Sequence, residues 1–142
     1  MTATITQARD DMLGVLKVAW EASADSQNLP MLYPDVAGDP PTEGAWGRAT
    51  VLHTGSNQAS LANHAGVRRF RRTGVVVVQL FTPPGGGQVL SDDLVTVVKN
   101  AFEGITTTNG VVFLNVTPRD IGQSGGFYQA NVQADFEYDE VR

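Results

Sequence analysis

The stretch that decides the fold is residues 127–140, FYQANVQADFEYDE. From 128 to 138, Tyr128, Ala130, Val132, Ala134, Phe136 and Tyr138 point one way. Gln129, Asn131, Gln133, Asp135 and Glu137 point the other. Such strict period-two alternation makes a strand with one buried and one polar face. A long strand of this kind predicts antiparallel pairing with a neighbour, because antiparallel sheets can leave one face in water.

Working upstream, residues 67–82 are the longest strand signal. Their first part, VRRFRR, is basic, and their second, VVVVQLF, is apolar on both faces. That pattern predicts a central strand covered on both sides. Pro83, Pro84 and the glycines at 85–87 stop it. Residues 45–54 (AWGRATVLHT) also alternate, with Trp46, Arg48, Thr50 and Leu52 on one face and Ala49, Val51 and His53 on the other. Asn109-Gly110 opens a strand over 111–116, and Pro118 is expected to close it. Proline on either side of residues 31–33 marks a short edge strand.

Two segments carry a helical period. Over 4–23, Ile5, Ala8, Met12, Val15, Leu16, Ala19 and Trp20 make one apolar stripe, and Thr4 with Gln7 fits a capping box. Over 91–102, Leu94, Val95, Val97, Val98, Ala101 and Phe102 make the buried face. Ser91 is the expected N-cap, Asp92 and Asp93 fill the first turn, and Gly104 suits the C-terminal cap. The order is helix, short strand, strand, long strand, helix, strand, strand. This predicts an α+β fold: a mixed, mostly antiparallel sheet with two helices packed on it, in one domain over 1–142. Residues 55–66 (GSNQASLANHAG) carry few apolar groups and no formal charge, and read as a mobile loop of a length that is usually functional or disordered.

Composition narrows the function. A chain of 142 residues is one domain and can bury an ordinary core without staples. It has no cysteine, so no disulfide framework and no thiolate zinc site. No apolar run approaches the length that spans a membrane, and the start MTATITQARDD does not read as a secretory signal. The net charge is −5, unevenly placed. Four of the ten basic residues are Arg68, Arg69, Arg71 and Arg72. Leaving those four out gives 6 basic against 15 acidic groups, a balance of −9.

Catalytic motifs are absent. His53 and His64 stand eleven apart with no second ligand at metal spacing, and no nucleophile or buried carboxylate is marked in register with them. They read as surface or loop histidines. The run PPGGGQVLSDD lacks the lysine of a phosphate loop and puts aspartates where phosphate would sit, so it reads as a plain turn. The pairs Asp10–Asp11, Asp92–Asp93 and Asp139–Glu140 are sequence neighbours, which do not converge on one face. No catalytic, metal or cofactor-binding residue is expected. On a strand, Arg69 and Arg71 point one way and Arg68, Phe70 and Arg72 the other. A single-stranded nucleic-acid site would use these arginines with Phe70 as a stacking platform. The acidic balance of the whole chain favours ion pairs across a subunit boundary instead. A solvated strand end that blunts edge pairing is the plain alternative.

From about residue 45 onward these segments resemble the tail terminator (tail-completion) proteins of long-tailed phages. The resemblance is carried by Trp46 to His53, by RRFRRTGVVVVQLFTPPGGG, by the helix ending AFEG and by VVFLNV. It ends on the C-terminal IGQSGGFYQANVQADFEYDE. The N-terminal helix fits by position only. The resemblance implies a structural virion protein and no enzyme. Its protomers form a hexameric ring, although an isolated one is expected to be monomeric until it meets the tube. The ring caps the tail tube, stops its polymerisation and offers the docking face for the head, at the head–tail interface. Its partners are the tail tube protein and a head-completion or connector protein, and DNA passes through its lumen without specific binding. No cofactor and no membrane are implied, and assembly takes place in the host cytoplasm. On this reading Arg68, Arg69, Arg71 and Arg72 pair with acidic groups of an adjacent protomer, with Asp135, Glu137, Asp139 and Glu140 as partners. Ser56, Asn57, Gln58, Ser60, Leu61, Asn63 and His64 of the loop contact the tube end or line the lumen. Another head–tail connector or a tail tube component is the alternative within the same class.

Overall fold

A computed structural model describes residues 2–34, 38–60, 68–85 and 88–142. The chain runs α1 (Ile5–Ala22), β1 (Met31–Leu32), β2 (Trp46–Gln58), β3 (Arg69–Thr82), α2 (Val89–Phe102), β4 (Val112–Ser124) and β5 (Phe127–Val141). The five strands form one sheet in the order β1-β2-β3-β5-β4. Only the β1–β2 pair is parallel; the other three pairs are antiparallel. This is the expected α+β architecture, with both helices on one face of the sheet.

Local chemistry explains the elements. The Thr4 hydroxyl accepts from the Gln7 amide at 3.2 Å, and the Gln7 carbonyl oxygen accepts from the Thr4 amide at 3.0 Å. This capping box satisfies two of the free donors at the helix start. Ala8, Met12, Leu16 and Trp20, four residues apart, are the buried row of α1. Ile5, which belongs to the predicted stripe, is 42% exposed. The buried row meets Val76, Val78, Leu80, Val132, Ala134 and Phe136 on the sheet, and Leu94, Val98 and Phe102 of α2 complete the core. At the β4–β5 hairpin, Gly125 and Gly126 have φ of 58° and 86°, the left-handed pair that a tight two-residue turn requires.

The structure corrects four expectations. α2 begins at Val89, and Ser91 is buried in its first turn instead of capping it. β4 runs through Pro118 to Ser124. Proline is tolerated there because β4 is an edge strand, which needs no donor on its outer side. β2 extends to Gln58, so Gly55, Ser56, Asn57 and Gln58 lie in a strand and not in a loop. They pair with Thr73, Arg72, Arg71 and Phe70 after a bulge at His53/Gly55. The valine run of β3 is covered on one side only: Val76 and Val78 are fully buried, whereas Val75 and Val77 lie half-buried on the face away from the helices.

Candidate functional site

The arginine-rich end of the sheet is a three-stranded ribbon of β2, β3 and β5. Residues 54–59 are all exposed there. Pairing places Arg71 opposite Asp139 and Arg72 opposite Tyr138, so the arginines alternate between faces as the period predicts.

On the face away from the helices, Asp139 accepts from two arginines, Arg69 at 3.0 Å and Arg71 at 3.1 Å. Burial pushes the Asp139 carboxyl up, but the hydrogen bonds and charges of Arg71 and Arg69 outweigh it and hold the group below its ordinary range. On the other face, Arg72 donates to Glu140 through Nε at 3.0 Å and Nη2 at 2.8 Å, and to the Ser56 hydroxyl. Its guanidinium also lies 5.4 Å from the centre of the Phe70 ring. Arg72 and Glu140 are 18% and 19% exposed, against 44% and 45% for Arg69 and Arg71, so the Arg72 pair is the protected one.

Within a single chain, therefore, three of the four arginines already hold Asp139 and Glu140. Arg68 is exposed and makes no ion pair among the described residues. Its backbone bridges to Arg142 through bonds of 2.7 and 3.0 Å. Asp135 and Glu137 point away from the helices and make no ion pair among the described residues. The Ser60 hydroxyl accepts from the Arg69 amide at 3.2 Å, which ties the start of the loop to β3. Leu61, Asn63 and His64 lie outside the described residues.

His53 sits at the inner end of this ribbon. Its Nε2 lies 2.7 Å from the Tyr138 hydroxyl, and its ring meets Phe136 edge-on at 5.4 Å. Sequence patterning missed this contact because the partners are 85 residues apart. Burial, then the charges of Arg9 and Arg72, push the imidazole pKa down. Among the described residues, no group of three or more His, Cys, Asp or Glu side chains could hold a metal ion, and no helix is long and apolar enough to cross a membrane.

Comparison with known proteins adds three findings. No curated protein sequence matches the chain. A solved structure matches over 92% of this chain and 92% of its own at a TM-score of 0.69. At 16% identity that likeness shows the fold alone. A family model described as phage tail terminator protein matches residues 11–132, which takes in α1 from Asp11 onward, the whole of β1, β2, β3, α2 and β4, and the first part of β5. The chain therefore belongs to the phage tail terminator protein family.

Proposed function

We propose that this protein forms a ring, of six copies, that caps the finished tail tube, stops its polymerisation and presents the surface to which the filled head docks. The observation that carries this reading is the family match over residues 11–132. The tail of the virion is the place that the family implies. An exposed ribbon held rigid by its own salt bridges suits a protein that acts through its surfaces. Asp139 is shared by Arg69 and Arg71, and Arg68 makes no ion pair among the described residues, so the ribbon keeps guanidinium groups that a neighbour can reach. These exposed guanidinium groups, on a chain otherwise strongly acidic, are what a neighbouring protomer's carboxylates meet in a head-to-tail ring contact. The loop after β2, with Ser60 at its start, contacts the tube end or lines the lumen.

The test is a phage deprived of this chain. Electron microscopy is expected to show tails of uncontrolled length and unjoined heads, with normal particles restored by adding the protein back. Tails of normal length would overturn the capping role. Reversing Arg69 and Arg71 to glutamate is expected to abolish the ring seen on tails while leaving the monomer folded. Rings of normal appearance would remove the arginines from the contact.

A further inference from the structure

The outer side of the helix layer carries an open groove of about 420 Å³. Gly14, Val15, Val18 and Ala22 of α1 form one wall, and Ala101 of α2 with Ile105 just after it forms the other. Val18 is 71% exposed and Ile105 36%, so the groove leaves apolar surface in water. Carboxylates border it. Glu21 stands three residues after Val18 and beside Ala22, and Asp25 follows at the end of α1. On α2, Asp93 lies eight residues, about two turns, before Ala101, and Glu103 closes the helix. All four are exposed, and none is in an ion pair among the described residues. Lys17 is the one cation on this stretch of α1, and Lys99, two residues from Ala101, turns to the opposite flank of α2. An occupant that fits is apolar in its middle and cationic at its sides.

The tip of the ribbon is such a surface. On its face away from the helices Val141 pairs with Arg69, and Arg71 stands one row on. Val141 is 41% exposed, and the two arginine side chains are 44% and 45% exposed. Asp139 holds both arginines side by side, so little rotamer freedom is left for them to lose on contact. The lengths also agree. Gly14 to Ala22 spans about 12 Å along a helix, and Arg69 to Thr73 spans about 13 Å along a strand. Asp139 and Glu140 are engaged within their own chain, so a neighbour must offer other carboxylates.

We propose that the ribbon tip of one copy seats in the groove between α1 and α2 of the next. Val141 and the arginine stems lie on the apolar walls, and the guanidinium groups of Arg69 and Arg71 meet Glu21 and Asp93 at the rims. Long cationic side chains cover apolar surface in this way while their charge stays at the edge. A ribbon cannot fill the groove of its own chain. It projects past the start of α1, where the Ala3 amide bonds to the Asp139 carbonyl, whereas the groove runs along the outer side of the helices toward Ala22. The two surfaces are thus different patches of one chain, the relation that builds rings. This inference rests on the ring reading above and assigns the two sides of its contact.

The chain has no cysteine, so a reporter pair can be introduced cleanly. Val18→Cys and Val141→Cys both change exposed sites. In virions carrying the double variant, a short bismaleimide should give a ladder of linked copies. Neither single variant should give linked pairs, because unlike sites meet. Arg69→Glu with Arg71→Glu, added to the reporter pair, should cut the yield about tenfold or more. Adding Glu21→Lys with Asp93→Lys should bring it back to within about threefold. Ala22→Lys puts a cation into the groove without touching a charged pair and should lower the yield as the arginine reversal does. Asp135→Lys with Glu137→Lys should leave it unchanged. No ladder in virions with tails of normal length, linked pairs from a single variant, or a yield that follows Asp135 and Glu137 would each overturn the contact and leave the capping role standing. A ladder, together with normal tails in phage lacking this chain, would support the contact and remove the capping role.

Discussion

Asp11 and Asn109, 98 residues apart, are joined by two hydrogen bonds of 2.9 Å, from the Asn109 amide and from its side chain. They pin the middle of α1 to the turn that starts β4. Burial raises the Asp11 pKa, but hydrogen bonds from Thr107 and Asn109 outweigh it and hold the carboxyl below 3.8. A depressed folded pKa means that the unfolded chain binds the proton more readily. The contribution is therefore complete above 3.8 and is lost as pH falls through the folded value. Asp11→Ala is expected to cost about 1–3 kcal/mol in urea unfolding at neutral pH. The variant should also lose less stability than wild type on acidification. Asp139 shifts in the same direction, so some acid sensitivity remains. An unchanged urea midpoint at neutral pH would refute this role.

His53 shifts in the same direction, but at a higher pH, and there the favoured form is the neutral one. Its pKa is lowered from 6.5, chiefly by burial and then by Arg9 and Arg72, so the folded chain prefers the neutral ring. The unfolded chain takes up the proton first as pH drops. Stability from this group is complete above 6.5 and declines as pH falls below it. An NMR titration of the imidazole should give a midpoint under 6.5. His53→Gln should flatten the stability profile between about pH 8 and pH 5. A midpoint at or above 6.5 would contradict the burial argument.

Two glycines should answer to alanine with opposite signs. A Cβ on Gly74 would lie 2.1 Å from the Leu52 carbonyl oxygen and 2.6 Å from Phe136 Cζ, so the strands must part to admit it. Gly74→Ala is expected to destabilise by about 1–3 kcal/mol or more. Gly14, inside α1, has nothing within 4 Å of the same position. Gly14→Ala should stabilise by about 1 kcal/mol through helix propensity. Thermal melts of the two variants against wild type check both signs at once.

The ribbon arginines should prove unequal. Arg72 and Glu140 are shielded and joined by two bonds, so Arg72→Ala is expected to cost about 1–3 kcal/mol. Arg69 is nearly half exposed and Arg71 still holds Asp139 when it is gone. Arg69→Ala should therefore change stability by about 0–1 kcal/mol. Denaturant midpoints that rank the two the other way would show that the exposed pair does more than its geometry implies.

How far the sequence could be read depends on which interactions are local. Thr4 and Gln7 are one helical turn apart, so their capping box was legible. The alternation of β5 was legible for the same reason, and with it the facing of Arg69 and Arg71 against Arg72. Pro118 misled because a proline ends a central strand but not an edge strand, and position in the sheet is not written in the local pattern. The polar run Ser56, Asn57 and Gln58 misled because its strand character comes from pairing with Arg72, Arg71 and Phe70, not from apolar content.

Read alone, the chain specified its helices, its long strands and the side of each strand that is apolar, since backbone sterics and side-chain periodicity act over a few residues. Which strands lie together was settled by the assembly of one core, where Val78 must sit beside both Ala49 and Val132. That register brought Arg69 and Arg71 to Asp139, and Arg72 to Glu140, inside one chain. It also left Val75 and Val77 half-buried on the side away from the helices, with no described element over them. Ion pairs and buried faces depend on distance in space, and for partners about seventy residues apart only the folded sheet sets that distance.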